Sequence, residues 1–362
     1  MIDDSDQNAH LLVKTSARGL LSRRGLLRAG VVGGLTLGSA CLAGCSSSVA
    51  TPARGLAAGS SGSPIVRSTV QLQPAAALAN AQGWPGPDLP AGLGVNLHFS
   101  STNQALSQIT RVAGLGLRFV RMDLTWSMVE HQRGRYDFSS YDPVIHELTS
   151  RGIRPLCILG YSNALYETIP SPPSTAVGPH TDAVRQAFAR FVAAAAAHFK
   201  GRGVIWEIWN EPDNVRFWSP APTPAGYMAL LKTAVPALRQ ADANALVIAP
   251  ALTGMSSQYP AAWTYLENCF SLGLPGLVDA ISVHPYRQDG PESVTADYRR
   301  LRSLIIRYAP KSKANMPIID SEWGYSGTWV SRELQAAYFV RLALMDRLNG
   351  LPISVWYDWQ DD

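Results

Sequence analysis

Cysteine is scarce in this chain. Four occur in 362 residues, Cys41, Cys45, Cys157 and Cys269, and their placement gives neither a disulfide framework nor a cysteine metal site. Charge is sparse as well: 16% of the residues are Asp, Glu, Lys or Arg, and the formal net charge is +4. Part of that excess sits at the N-terminus, where residues 1–45 hold five basic residues (Lys14, Arg18, Arg23, Arg24, Arg28) and three acidic ones (Asp3, Asp4, Asp6). Removing them from totals of 31 and 27 leaves 26 and 24, a net of +2. A nearly neutral body carries no electrostatic footprint for nucleic acid. No local His/Asp/Glu cluster has ligand spacing, and His98 and His284 do not make one, so neither a metal nor a cofactor is expected. Nothing implies a protein partner. Long apolar runs are missing too: Ala29 to Gly44 is rich in glycine and alanine, and is too short and too mildly apolar for a membrane span. What the chain does have is 46% hydrophobic residues, enough for the core of one large α/β domain or two smaller ones.

The N-terminus reads as an address. Ser22-Arg23-Arg24-Gly25-Leu26-Leu27-Arg28 precedes the mild apolar stretch, and paired arginines in that place resemble a twin-arginine export signal. Leu42-Ala43-Gly44-Cys45 resembles a bacterial lipobox, whose cysteine is lipidated and becomes the mature N-terminus. The alternative is an ordinary cleaved signal in which Cys45 has no role. The serine-rich stretch that follows, SSSVATPARGLAAGSSGSP, lacks aromatics and periodicity and reads as a tether. The expected organisation is an export signal with lipobox over 1–45, a tether and N-terminal segment over 46–90, and a folded domain over 91–362. The expected location is the cell envelope, lipid-anchored on the outer face of a bacterial membrane if Cys45 is acylated, and otherwise secreted.

From about residue 91 short apolar runs alternate with amphipathic stretches, the pattern of βα units and a parallel sheet. The apolar runs cover 92–99, 117–124, 153–161, 203–211, 245–252, 278–286, 316–324 and 352–359. Helices are expected at Asn103–Ala113, Tyr141–Arg151, Asp182–Lys200, Pro224–Gln240, Ala261–Leu272, Val294–Ala309 and Ser331–Leu348. Eight such strands over this length predict an α/β fold of the (β/α)8 type, the TIM barrel. The sequence runs out at Asp362, directly after the eighth apolar run, so the eighth helix is missing at the C-terminus. Either the sequence stops short of it, or the Val66–Ala79 region covers the gap.

Such barrels carry their reactive side chains at the C-terminal ends of the strands. Here the fourth run ends in Asn210-Glu211, the seventh in Glu322-Trp323 and the sixth in His284-Pro285-Tyr286. The second carries Arg121 and Asp123, the eighth Trp356, Asp358 and Trp359, and the first ends with His98. One polar strand end is unremarkable. Two carboxylates, an arginine, a histidine and several aromatics on one rim suit cleavage of a glycosidic bond. One carboxyl must carry a proton for the leaving oxygen, while the other must be ionised to attack or stabilise the sugar carbon. Arg121 favours the charged form of its neighbour, which separates the two. Tryptophans offer flat apolar faces for sugar rings. Glu130 reads as a brace for the loop after the second strand, and Asp123 and Asp358 as structural partners of arginines.

The pair Trp209-Asn210-Glu211-Pro212 and Ser321-Glu322-Trp323-Gly324 resembles glycoside hydrolase clan A over residues 91 to 359. Asp213-Asn214-Val215-Arg216-Phe217-Trp218, with Trp126, Glu130 and Gly134-x-Tyr136-Asp137-Phe138, is closer to family 39 and its relatives than to family 5 cellulases. Tyr161-Ser162-Asn163 stands where those cellulases usually carry a histidine. The resemblance implies Glu211 as acid/base and Glu322 as nucleophile. It implies Asn210 on the sugar 2-hydroxyl, Arg121 and Tyr286 orienting Glu322, His284 in the same network, and Trp356 or Trp359 as the floor of the sugar site. His98 is a further substrate-binding candidate. Two function classes follow: a retaining glycosidase acting on β-linked oligo- or polysaccharide, or a sugar-binding surface lipoprotein that keeps the barrel without turnover. A chain that truly ends at Asp362 favours the second.

Overall fold

The computed structural model describes residues 83–86, 88–169 and 176–360. The arginine pair Arg23-Arg24, the Cys45 motif and the Val66–Ala79 region lie outside them. Eight parallel strands close into a barrel in sequence order, β1 to β8, with β8 pairing back to β1. They are β1 Leu93–Asn96, β2 Phe119–Thr125, β3 Arg154–Gly160, β4 Ile205–Ile208, β5 Leu246–Leu252, β6 Ala280–Val283, β7 Ile318–Trp323 and β8 Ser354–Trp356. The principal helix after each strand is α1 Thr102–Gly114, α2 Asp142–Ser150, α3 Asp182–His198, α4 Pro224–Ala241, α5 Pro260–Ser271, α6 Thr295–Tyr308 and α7 Arg332–Leu348. This is the expected fold class. Among the described residues no helix follows β8.

Local chemistry sets the helix starts. Ser101, Thr181, Thr223 and Ser331 each accept a hydrogen bond from a backbone N–H of the first turn, satisfying a donor that has no partner within the helix. The strands read as apolar runs because both their faces are buried. On β2, Val120, Met122 and Leu124 face outward and merge with the helix layer, as do Cys157, Leu159, Trp206 and Ile208 on β3 and β4. The opposite faces contribute Phe119, Leu156, Ile205, Ile248, Ala280, Ile319, Ile353 and Val355 to a separate cluster inside the bore. Trp84, from the segment expected to precede the barrel, joins this cluster and is buried. At Gly94 of β1 a Cβ would stand 2.6 Å from that of Phe119, so only glycine lets the bore close there. Cys157 and Cys269 are free, buried thiols, and burial pushes both far above the ordinary thiol range.

Two local irregularities decide what faces the bore. On β7 two residues separate Asp320 from Trp323, while one separates their β8 partners Ser354 and Trp356. That bulge breaks the strict alternation between Ile319 and Glu322. After β4, Trp209 and Glu211 adopt left-handed backbone, with φ of 69° and 44°, at a cost of about 1–3 kcal/mol each. Trp209 consequently leaves the bore side on which Ile205 and Glu207 lie and packs against Phe188 and Trp218.

Candidate active site

Arg121 is the centre of the upper bore. It follows Phe119 by two residues, so it faces the same way one layer nearer the C-terminal mouth. Its Nε donates to Glu207 Oε2 at 2.6 Å. Nη1 donates to Asn96 Oδ1 at 2.9 Å and to Glu322 Oε2 at 2.8 Å. Nη2 donates to Asn210 Oδ1 at 2.7 Å and lies 3.2 Å from His284 Nε2. All six side chains are buried. Burial alone would lower the guanidinium pKa, but the adjacent Glu207 and Glu322 carboxylates outweigh it and hold the group charged, above its ordinary range.

The two glutamates differ in their partners. Glu322 accepts from Arg121 and, at 3.0 Å, from the Tyr286 hydroxyl. Glu211 accepts from Asn214 Nδ2 at 3.1 Å, and its Oε1 lies 3.1 Å from His284 Nδ1. Because a guanidinium can only donate, His284 Nε2 must accept from Arg121, which leaves the ring proton on Nδ1 facing Glu211. Glu322 is therefore bonded to a full positive charge and Glu211 to neutral donors. The Glu211 backbone is fixed as well, since its N–H donates to Ala251 O at 3.0 Å. Donor atoms of Glu211, His284 and Glu322 all lie within 4.8 Å of one another. That spacing could coordinate an ion, but the Arg121 charge beside Glu322 and His284 opposes a second cation there.

Most of the candidate residues converge. Glu211, Glu322, Asn210, Arg121, His284 and Tyr286 form one hydrogen-bonded group. His98 stands apart from it, 3.9 Å from Asp123 and edge-on to Tyr357 at 5.6 Å. The two tryptophans do not floor the bore. Ile353, just before β8, and Val355 within it face the bore, so Trp356 faces out and packs edge-on against Phe339 of α7 at 5.4 Å. Trp359 lies under the Arg111 guanidinium of α1 at 5.6 Å. Next in the inward alternation after Val355 comes Tyr357, which stands edge-on to His98 at 5.6 Å. Asn96 and Glu207 were overlooked. A carboxylate within the apolar run of β4 needs a cation, and that signal pointed to Arg121.

The surroundings carry further carboxyls. Glu130 is a brace, as expected: it accepts from Trp126 Nε1 at 2.5 Å, Gly134 N at 2.6 Å and the Tyr166 hydroxyl at 2.6 Å. Among the described residues Asp123 pairs with no arginine; its Oδ1 accepts from the Tyr161 hydroxyl at 3.0 Å. Asp213, two residues past Glu211, accepts from Thr253 N at 3.0 Å. Burial pushes it up to about 7, with the Glu211 charge adding to the rise. On the helix side of β7, Asp320 meets Asp346 of α7 in a buried carboxyl pair. Tyr298 and Ser354 hydroxyls each donate to Asp346 at 2.6 Å. Burial pushes Asp346 up to about 6 and Asp320 well above the carboxylate range, so this pair retains a proton.

The fold has relatives among solved structures. A family 39 glycoside hydrolase from Bacteroides cellulosilyticus WH2 superposes with a TM-score of 0.65 at 24% identity, covering 78% of this chain and 58% of that one. A monomeric beta-xylosidase from Caulobacter crescentus CB15 gives 0.56 at 22%, covering 75% and 60%. A beta-xylosidase of Geobacillus stearothermophilus is 26% identical over 176 residues, 45% of this chain and 33% of the relative. The chain thus spans about a third of that curated relative. The resemblance to clan A is borne out, with family 39 among the structural neighbours and family 5 supplying the matching sequence model. That model, described as cellulase (glycosyl hydrolase family 5), covers residues 86–362 and so takes in the whole described barrel; the chain belongs to the cellulase family, glycosyl hydrolase family 5.

Proposed function

We propose that this protein is a retaining glycosidase of β-linked oligo- or polysaccharides, with Glu322 as nucleophile and Glu211 as acid/base. One observation carries the reading: the Glu211 and Glu322 oxygens lie within 4.8 Å, with Arg121 donating to Glu322 and the His284 ring facing Glu211. Retaining enzymes hold their carboxyls about 5–5.5 Å apart, and inverting ones leave about 6.5–9.5 Å for a water. Glu322 attacks the anomeric carbon while Glu211 gives its proton to the departing oxygen. Glu211 then takes a proton from the water that releases the sugar. Asn210 spends its Oδ1 on Arg121, which turns its amide donor to the sugar 2-hydroxyl. Arg121 and Tyr286 hold both oxygens of Glu322.

The test is a panel of 2,4-dinitrophenyl β-glycosides, xylosides first because two of the relatives are named beta-xylosidases. NMR of the first-formed product should show the β anomer. An α anomer overturns the retaining mechanism, and sugar binding without turnover is the outcome expected of a binding protein on the same barrel. Arg23-Arg24 and Cys45 support export and lipid anchoring. Cys45→Ser should move the protein from membranes to the soluble fraction; unchanged membrane association overturns the anchor. Among the described residues no helix is long and apolar enough to cross a membrane.

A further inference from the structure

Asp123 has no place in the mechanism above. It is the next inward residue of β2 after Arg121, and two residues of extended strand raise it about 6.6–6.8 Å toward the mouth. A carboxylate in that position should have a cation or several donors. Its Oδ1 has one donor, the Tyr161 hydroxyl at 3.0 Å. Its Oδ2 has the His98 Nδ1 at 3.9 Å, beyond hydrogen-bond reach. The Asp123 side chain is 21% exposed and that of His98 44%, so the second oxygen is open to a ligand in the mouth.

The neighbours hold this carboxylate still. Tyr161 stands edge-on to Trp209 at 5.7 Å and stacks on Phe217 at 5.9 Å. It also lies in the field of Arg121 and Glu322. His98 is edge-on to Tyr357 at 5.6 Å. Adjacent hydroxyls on a sugar ring suit a carboxylate with a free oxygen edge, because both can donate to it, and a hydrogen bond to a charged acceptor is stronger than a neutral one.

We infer that Asp123, held by Tyr161 beside His98 and Tyr357, is the specificity-determining residue of the glycone site and reads two adjacent ring hydroxyls of the sugar that Glu322 attacks. This rests on the glycosidase reading, and it narrows the substrate to glycosides bearing both of those hydroxyls.

The experiment runs in two arms. In the first, wild type and Glu322→Ala are assayed on 2,4-dinitrophenyl β-xyloside, β-glucoside and β-mannoside. Turnover that depends on Glu322 secures the glycosidase reading. In the second, the ring monodeoxy analogues of the best substrate are compared in wild type, Asp123→Ala and Asp123→Asn. Wild type should lose about 10- to 100-fold in kcat/KM at two adjacent positions, the range for a hydrogen bond to a charged group. In Asp123→Ala the parent substrate should fall by a similar factor, with those two penalties shrinking to near unity and the penalties elsewhere unchanged. Asp123→Asn keeps an acceptor for Tyr161 and should show a smaller loss at the same two positions, which guards against misfolding of the alanine variant. Full deoxy penalties in both variants overturn the proposal. If wild type does not turn over, the glycosidase reading fails and the proposal is read by NMR titration with methyl β-xyloside and methyl β-glucoside. Binding present in wild type and weakened in Asp123→Asn supports it; equal binding in both, or none in wild type, overturns it.

Discussion

The two ends of the bore are built from the same strands and have opposite characters. On β2 the inward residue is Phe119 below and Arg121 above; on β4 it is Ile205 below and Glu207 above. The lower ring is apolar, and Trp84 packs with it. The upper one is a buried polar network around a single guanidinium. Burying an aliphatic or aromatic side chain of this size stabilises by about 1.5–3 kcal/mol. A buried ion pair roughly breaks even, and becomes costly if one partner is lost. The contrast shows where stability is made and where it is used. Residues two apart on one strand can belong to different functional layers, and substitutions should sort by layer and not by strand.

The largest expected effect is in the upper layer. On the proposed mechanism, Glu322→Ala should lower kcat by on the order of 10⁴-fold or more, since no other group in that scheme forms the glycosyl-enzyme. Its melting temperature should change far less than its rate. Glu211→Ala should split by leaving group. With dinitrophenyl glycosides the first step survives and the glycosyl-enzyme accumulates. Added azide then restores turnover and gives the β-azide. An α-azide from Glu211→Ala, and a β-azide from Glu322→Ala, would reverse the two assignments.

Next comes Arg121→Met, which strands Glu207 in the bore and should cost about 3–5 kcal/mol by denaturant unfolding. The double variant Arg121→Met/Glu207→Leu should recover much of that stability and none of the activity. A double variant as unstable as the single would break the claim that the pair is close to neutral for the fold. In the lower layer, Ile205→Ala should cost about 2–5 kcal/mol while leaving kcat per folded molecule unchanged. A large kcat loss there would erase the distinction between the layers.

The smallest effect lies behind β7. Asp346 is raised in the folded state from 3.8 to about 6, and its partner Asp320 is raised as well. A raised pKa means that the folded protein binds the proton more tightly than the unfolded one. The stability it contributes is present below about pH 4 and is lost as pH rises through about 6. Asp346→Asn should flatten that part of the melting profile between pH 4 and 7. An unchanged slope would remove the pair from the account.

Much of the barrel was legible because its strands are buried on both faces and read as continuous apolar runs. Glu211 and Glu322 stood out for the same reason, as carboxylates where such runs end. The same uniformity hid the phase of each strand. In the three-residue Ser354–Trp356 stretch one serine is too little to set the phase, and only its hydrogen bond to Asp346 of α7 shows that Ser354 and Trp356 share the outward face, with Tyr357 following Val355 inward. The bulge before Glu322 and the left-handed backbone at Trp209 and Glu211 shift that phase locally, and neither leaves a mark in residue type. Glu207 left one sign, a carboxylate inside an apolar run, whereas Asn96 became visible only when the closed ring brought it to Arg121.

Arg121 also has a kinetic consequence. Its partners come from β1, β4, β6 and β7 or from the residues that follow them, so with its own β2 one side chain ties together five of the eight strands. A strand that peels away should silence the enzyme at once, long before the helices melt. During slow heating, loss of catalysis should run ahead of the far-ultraviolet signal. The gap between the two curves would then time the opening of the barrel seam, making activity a more sensitive gauge of ring integrity than any bulk spectroscopic probe.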